Sequence, residues 1–159
     1  MPDWFVQNVA GAEWLVNEKF GARTMLVPEG SQVGARVHVL EPGKPSTLYH
    51  RESGQEGFLV VEGECLLIVE GEERRLGPWD YFHCARGTTH GFVGTGDGPC
   101  VIVTLGARGG SILYARDEAA LRHDAGVEVE TDTPPEAYAP FPKWEPGRPG
   151  DWDLLPWNR

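Results

Sequence analysis

Four side chains in the sequence have the chemistry to bind a metal ion: His50, Glu52, Glu56 and His90. In an extended strand, side chains two positions apart lie on the same face, so His50 and Glu52 are expected to point together into a barrel. Glu56 is expected to begin the next strand and His90 a later one. Imidazole and carboxylate groups on neighbouring strands bind divalent first-row metals, and the metal offsets the cost of burying the carboxylates. The pattern therefore predicts a site for one divalent metal ion.

Three interpretations are open for Glu52. As a fourth ligand, it supplies the second carboxylate charge that neutralises a divalent ion, which favours Fe, Mn or Zn over copper(I). As a catalytic residue outside the coordination sphere, it acts as a general base beside a bound substrate. As a charged residue at the end of a strand, it is solvated and does neither.

The composition predicts a turn-rich β protein around these residues. The chain has 21 Gly and 13 Pro among 159 residues, well above average usage, while 40% apolar residues are enough for a buried core. Short apolar runs separated by turns are typical of a β-sandwich or barrel. The expected strands include residues 25–27, 37–40, 58–61, 65–69 and 100–105.

Local signals add a hairpin and a helix to this set of strands. The runs 58–61 and 65–69 are expected to form a hairpin, because Gly63 between them adopts a positive φ at little cost. Asp117 is expected to cap one short helix over residues 118–123. We predict no other helix.

Residues 134–159 form a tail that is rich in Pro and aromatic residues. This mixture predicts neither a helix nor a central strand. Disordered segments are usually poor in aromatic residues, and the tail has three tryptophans, so we expect it to dock. The sequence leaves open whether it docks on its own barrel or on a neighbouring subunit.

Charge and cysteine content limit the partners. A net charge of −10 argues against nucleic acid and anionic membranes as partners, and leaves a small-molecule ligand or substrate. No apolar run reaches the ~18–20 residues of a membrane span, and no secretory signal is recognised, so the expected compartment is the cytoplasm. Cys65, Cys84 and Cys100 are an odd number without paired spacing, which favours buried thiols over disulfides or a thiolate zinc site.

The spacing of these residues resembles the cupin superfamily. Its first motif is G-x5-H-x-H-x3,4-E-x6-G and its second is G-x5-P-x-G-x2-H-x3-N. Six residues follow this spacing: His50, Glu56 and Gly63 in the first motif, and Gly77, Gly87 and His90 in the second. The sequence departs from the motifs at four positions: Gly43 lies one residue early, Glu52 replaces the second histidine, Ala85 replaces the proline, and Gly94 replaces the asparagine.

The resemblance implies an all-β fold, the double-stranded β-helix or jelly-roll barrel of cupins. The single domain would span residues 1–133 with its core at about 24–105, followed by the tail. The resemblance also implies one divalent metal ion, Fe, Mn or Zn, held by His50, Glu56 and His90, with or without Glu52. Cupins are commonly homodimers, and the outward-facing apolar residues Leu59 and Val61 are candidates for the interface.

Other polar residues near the motifs have expected positions as well. Strand alternation places Cys84 inward, as a thiol lining the pocket, and His83 outward, so neither is a ligand. His38 and His123 have no partner at ligand spacing and are expected at the surface. Three residues are candidates to bind an anionic group of a substrate: Arg36, Tyr49 and Arg86.

Three functions are consistent with these residues. Two histidines and one carboxylate form the ligand set of many Fe(II) oxygenases, so we favour a metal-dependent enzyme with dioxygenase chemistry on a small organic molecule. A metal-dependent sugar isomerase or lyase is the second, because the metal would polarise a carbonyl group. The third is a binding or sensing cupin without catalysis, since fold alone does not establish an enzyme.

Overall fold

Antiparallel β-strands make up most of the ordered structure in residues 3–159, the part of the chain that the computed structural model describes. The strands are β1 (Trp14–Asn17), β2 (Gly21–Met25), β3 (Val33–Leu40), β4 (Arg51–Glu52), β5 (Glu56–Glu62), β6 (Glu64–Val69), β7 (Glu72–Leu76), β8 (Tyr81–Cys84), β9 (His90–Thr95), β10 (Cys100–Ala107), β11 (Ile112–Leu113) and β12 (Glu145–Pro146). Two short helices, α1 (Glu118–Arg122) and α2 (Pro134–Tyr138), and three 3₁₀ turns, Val9–Gly11, Trp152–Leu154 and Pro156–Asn158, complete the fold.

The strands form two main sheets that enclose a common core. One sheet has the order β12-β1-β2-β3-β10-β5-β8, and the other has the order β7-β6-β9. A short third sheet pairs β11 with β4. Side chains from both main sheets meet between them, including Phe58 and Ile102 from the first and Leu67 and Phe92 from the second. This arrangement is the expected jelly-roll barrel, and the all-β prediction is confirmed.

The predicted hairpin between residues 58–61 and 65–69 is wrong. Both segments are strands, but β5 pairs with β10 and β8, whereas β6 pairs with β7 and β9. Gly63 has the expected positive φ of 74° and turns the chain from one sheet into the other. A Cβ atom at Gly63 would collide with the carbonyl oxygen of Pro99, so glycine is required at this corner.

Helix α1 is confirmed, and a second helix in the tail is a correction. The Asp117 carboxylate accepts a 2.9 Å hydrogen bond from the Ala120 backbone N–H, which is the expected cap of α1. The tail was expected to form no helix, yet Pro134 and Pro135 occupy the first turn of α2. Proline is tolerated there because the first N–H groups of a helix have no intrahelical partner. In residues 3–159, no helix is long and apolar enough to cross a membrane.

The tail docks on its own barrel through two aromatic clusters. Phe20, which is 1% exposed, contacts the rings of Tyr138, Phe141 and Trp144, with centroid distances of 5.3, 5.5 and 6.4 Å. A second cluster forms around Trp14, whose ring lies 5.9 Å from that of Trp152 and 5.3 Å from that of Trp157. Tertiary packing therefore decides a question that the sequence left open.

The outer face of the larger sheet is partly covered by the cluster around Trp14. Val61, expected to face outward at an interface, packs against the cluster around Trp14 together with two tail tryptophans. Leu59 is half-buried. Cys65, Cys84 and Cys100 are all buried and free, as predicted.

Candidate metal centre

Three of the four predicted ligands converge inside the barrel. His50 lies just before β4, and its backbone exchanges hydrogen bonds of 3.0 and 2.8 Å with that of His90 at the start of β9. Glu56 begins β5 in the opposite sheet. One ligand atom from each of His50, Glu56 and His90 lies within 4.8 Å of the other two. The pairing of strands across the barrel therefore unites residues that are 40 positions apart in the sequence.

This site is buried and is apolar on one side. His90 is 2% exposed and His50 is 6% exposed. The rings of Phe58, Phe82 and Phe92 surround His90, with centroid distances of 5.1, 5.9 and 6.3 Å. Ion pairing is strong in such surroundings, and an unpaired charge is costly.

Hydrogen bonds behind the two imidazole rings set which nitrogen faces the site. The Nδ1 atom of His50 lies 2.6 Å from the carbonyl oxygen of Leu48, and that of His90 lies 3.0 Å from the carbonyl oxygen of Thr88. A carbonyl oxygen only accepts, so each Nδ1 carries the proton and each Nε2 turns a lone pair towards the site when the ring is neutral. Metal-binding histidines are commonly oriented in this way.

The contact between His90 and Glu56 supports a cation site. His90 Nε2 lies 3.2 Å from Glu56 Oε2, an atom that is buried and receives no hydrogen bond. Two acceptors face each other there with no donor between them, which is unfavourable unless a proton or a metal ion lies between. The residues present therefore fit a divalent metal ion, which His50, Glu56 and His90 would hold.

The pKa values at this contact reflect the cost of burying a charge there. Burial, reinforced by the charge of Glu52, raises the pKa of Glu56 to about 7. Burial and the neighbouring His50 lower the pKa of His90 to about 4, so its ring is neutral at pH 7 and available as a ligand. Burial acts to lower the pKa of His50, but the acceptors Glu52 and Leu48 outweigh it and the pKa is raised.

Glu52 lies beside this cluster and outside the group of three. Its Oε1 atom is 3.4 Å from His50 Nε2, its side chain is 30% exposed, and it lines the adjoining cavity. The neighbouring His50 lowers the pKa of Glu52 despite partial burial, so the carboxylate is ionised at neutral pH. Its role as a ligand or as a base stays a prediction.

The two side chains that precede the second motif lie where alternation placed them. His83 is exposed and Cys84 is buried. The Cys84 sulfur lies 3.3 Å from His90 Nδ1, which is the nitrogen turned away from Glu56. Burial, together with the charges of Glu56 and Glu52, raises the pKa of the thiol to about 12, so it stays protonated and packs behind the ring.

A cavity of about 680 Å³ opens from the metal ligands towards the tail. Its inner wall is the barrel, and part of its outer wall is formed by Tyr138, Phe141 and Trp144. Tyr114, which is 3% exposed, lines the cavity beside His50 at a ring-centroid distance of 5.7 Å. The docked tail thus converts an open barrel mouth into a walled pocket.

Several predictions about the pocket lining need correction. His38 was expected at the surface, but it is 4% exposed and lines the cavity, because β3 alternates and places it on the same face as Arg36. Arg36 lines the cavity as expected. Tyr49 and Arg86 do not: the Tyr49 hydroxyl accepts from the Gly71 N–H outside the cavity, and Arg86 is exposed.

The pocket also contains residues that the sequence motifs do not predict. Arg23, Thr104, Tyr114 and the tail aromatic residues all line the cavity. Strand alternation predicts that Thr104 faces inward once Ile102, two positions before it on β10, is known to do so. Arg23 and the tail residues carried no such signal, because their positions depend on contacts between distant parts of the chain.

Comparison with known proteins identifies the family. Residues 36–106 match the family model described as Cupin domain, and many solved cupin structures share the fold. Residues 36–106 of the chain therefore form a cupin domain. A cupin sugar phosphate isomerase from Silicibacter pomeroyi is similar to it in fold, with a TM-score of 0.63 and 23% identity over 70% of this chain and 82% of that one.

Two further solved structures are slightly more similar in sequence. KdgF from Halomonas sp. is 26% identical, with a TM-score of 0.52, over 60% of this cupin and 88% of its own chain. The DMSP lyase DddQ from Ruegeria pomeroyi is 25% identical, with a TM-score of 0.51, over 61% of this cupin and 56% of its own chain. No curated protein matches the sequence at a significant level. The reaction therefore has to be argued from the site.

Proposed function

We propose that this cupin is a metal-dependent enzyme that moves a proton on a small organic molecule, as an isomerase or a lyase does. The observation that supports this most directly is the pairing of a metal-ligand triad with a separate ionised carboxylate, Glu52, that faces the same cavity. Proton abstraction beside a carbonyl group needs a base and an electrophile in this relation. A divalent ion held by His50, Glu56 and His90 supplies Lewis acidity towards a substrate oxygen.

Residues of the chain can divide the remaining tasks. Glu52 accepts the proton, because its lowered pKa keeps it ionised at neutral pH. Burial raises the pKa of Tyr114, so its hydroxyl stays protonated and can donate a hydrogen bond to a substrate oxygen. The apolar side chains of Phe58, Phe92 and Ile102 line the cavity beside the ligands and exclude water.

The KdgF and DMSP lyase relatives are compatible with this proposal, since the second is named for a lyase reaction. At 25–26% identity they support the reaction class weakly, and the arrangement of side chains carries the argument. A dioxygenase is the second candidate. Two histidines and one carboxylate that face an open cavity are the ligand set of non-haem Fe(II) oxygenases, and this cupin has that set.

Metal content is the first test of the proposal. Purified full-length protein should contain about one divalent metal ion per chain by elemental mass spectrometry. His90→Ala should lose it, because the variant removes one of three convergent ligands. His83→Ala is the matched control. His83 is exposed on β8, so this variant should retain the metal.

Glu52 separates chemistry from metal binding. Glu52→Gln should retain the metal and lose the exchange of substrate hydrogen for solvent deuterium, followed by NMR in D₂O over a panel of small hydroxy and keto compounds. Oxygen uptake that depends on one of these compounds would favour the dioxygenase instead. No metal above trace after reconstitution would overturn both and leave a small-molecule binder.

A further inference from the structure

Two arginines lie side by side on the cavity wall. Arg23 on β2 and Arg36 on β3 both line the cavity. In the register of the larger sheet, Arg23 lies opposite His38, and Arg36 lies opposite Thr104 on β10. Arg36 and His38 are two positions apart on β3 and so share its inner face. These four residues, which we call the arginine patch, all line the cavity.

The two guanidinium groups of the arginine patch make no direct ion pair. Within residues 3–159, no carboxylate oxygen lies within 4.0 Å of the Arg23 or Arg36 guanidinium. This is unusual in a chain with a net charge of −10, which has acidic residues to spare. Burial and the like charge of Arg36 lower the pKa of Arg23. Two half-buried cations of this kind are stabilised by an anion between them.

Two polar atoms of the arginine patch also lack partners. His38 Nδ1 and Thr104 Oγ1 are buried and have no hydrogen-bond partner. Buried polar atoms in proteins are normally hydrogen-bonded, so this wall of the cavity has unused hydrogen-bonding capacity. Both residues line the cavity together with the two arginines.

The tail holds one arginine in position. The guanidinium carbon of Arg23 lies 4.0 Å from the centroid of the Trp144 ring. Arginine stacks well on the face of an aromatic ring and keeps the edge of its guanidinium free for hydrogen bonds. Docking of the tail therefore restricts Arg23 before any ligand binds, which lowers the entropy cost of binding.

We propose that the arginine patch binds an anionic group, a carboxylate or a phosphate, of the molecule on which the metal centre acts. Guanidinium groups form paired hydrogen bonds with either anion, and the Thr104 hydroxyl adds a donor. That the anion belongs to the substrate rests on the proposed function, whereas binding of an anion here does not.

The register of the sheet sets the span of such a molecule. Arg36 and Glu56 are separated by two strand spacings, through β10, and by two residues along the sheet. Their Cα atoms are therefore about 12 Å apart by the usual spacing and rise of strands. Side chains extend from both ends of this span, so a small molecule reaches from the patch to the metal ligands within the cavity of about 680 Å³.

Calorimetric titration tests the proposal with inorganic phosphate and with succinate as probes. Full-length protein is titrated at constant ionic strength, once as purified and once after removal of metal. The wild-type protein should bind at least one probe in both forms. Arg36→Gln should weaken binding about tenfold or more, the range expected for a charge-assisted hydrogen bond.

Two controls accompany Arg36→Gln. Arg75→Gln, at an exposed position on β7, should bind like the wild type. Arg36→Lys keeps the charge and loses the planar fork, so it should recover part of the affinity. Both Arg36 variants should keep the wild-type metal content and melting temperature to within a few degrees, because Arg36 is not a ligand.

The outcomes separate this proposal from the proposed function. Binding of phosphate alone indicates a phosphorylated substrate, and binding of succinate alone indicates a carboxylic acid. Binding that persists in a protein without metal, and that Arg36→Gln weakens, supports the patch even if the enzyme proposal fails. Binding that disappears with the metal and is unchanged in Arg36→Gln would contradict anion binding by the arginine patch. The absence of binding of either probe would also contradict it. Neither result bears on the metal centre.

Discussion

Replacing Glu56 with glutamine should stabilise the metal-free protein and abolish its response to metal. Glu56 Oε2 is buried without a donor and faces His90 Nε2 at 3.2 Å. The amide of a glutamine would donate a hydrogen bond to that nitrogen and remove the contact between two acceptors. The same substitution removes the negative charge that a divalent ion requires. Stability and metal binding should therefore change in opposite directions.

The size of the effect follows from the pKa of Glu56. Burial raises it from 4.5 to about 7, so the folded protein holds this proton more tightly than the unfolded chain does. Above pH 7 the difference corresponds to about 3 kcal/mol of lost stability. The loss is absent below about pH 4.5, grows as the pH rises, and is complete above about pH 7. For a domain of this length, 3 kcal/mol corresponds to about 6–12 °C in melting temperature.

Calorimetric melting at two pH values measures this prediction. After removal of metal, Glu56→Gln should melt about 6–12 °C above the wild type at pH 8, and the gap should narrow to a few degrees at pH 5.5. Added metal should raise the wild-type melting temperature and leave that of the variant unchanged.

Glu130→Gln is the control for this experiment, because Glu130 is exposed and lies outside the cavity. It should follow the wild type in both respects. A Glu56→Gln variant that melts below the metal-free wild type at pH 8, or that still responds to metal, would refute the reasoning.

Two further predictions concern the tail and a buried histidine. Phe20→Ala should cost about 3–5 kcal/mol and speed protease cleavage within residues 134–159, since the Phe20 ring anchors the tail; unchanged cleavage would mean that other contacts hold the tail. Burial, aided by the charges of Arg36 and Arg23, lowers the pKa of His38 to about 3. Below about pH 6.5, His38 is therefore protonated in the unfolded chain but stays neutral in the folded protein. From pH 7.5 to pH 5, the wild type should therefore lose about 2 kcal/mol more stability to urea than His38→Gln does, and parallel pH curves would contradict this.

Local rules were sufficient for much of the fold and for the centre of the site. Alternation on single strands placed Cys84 inward and His83 outward, and the capping preference of Asp117 placed α1. The spacing of His50, Glu56 and His90 predicted the three residues that converge in the barrel. Each of these features depends on a few neighbouring residues or on a motif that already encodes the pairing of strands.

Predictions failed where the local pattern of a segment was compatible with more than one structure. Residues 58–69 fit a hairpin by pattern, but β5 and β6 enter different sheets and contribute side chains to the same core from both sides. The mixture of Pro and aromatic residues in the tail predicts no helix, but proline at the first turn of α2 removes no intrahelical hydrogen bond. Loop and tail segments have weak intrinsic preferences, so long-range packing decides their conformation.

The sequence by itself determined the barrel, the residues His50, Glu56 and His90 that converge inside it, and the net negative charge, because each follows from local spacing or composition. Only the tertiary structure decided that the tail covers its own barrel, that His38 is buried, and that Arg23 and Arg36 share one wall with Thr104. These positions depend on contacts between residues more than 60 apart in sequence, such as Arg36 with Thr104 and Arg23 with Trp144. Pairing of β3 with β10 sets the first of these contacts, and burial of the aromatic tail against the barrel sets the second, so neither partner follows from one segment alone.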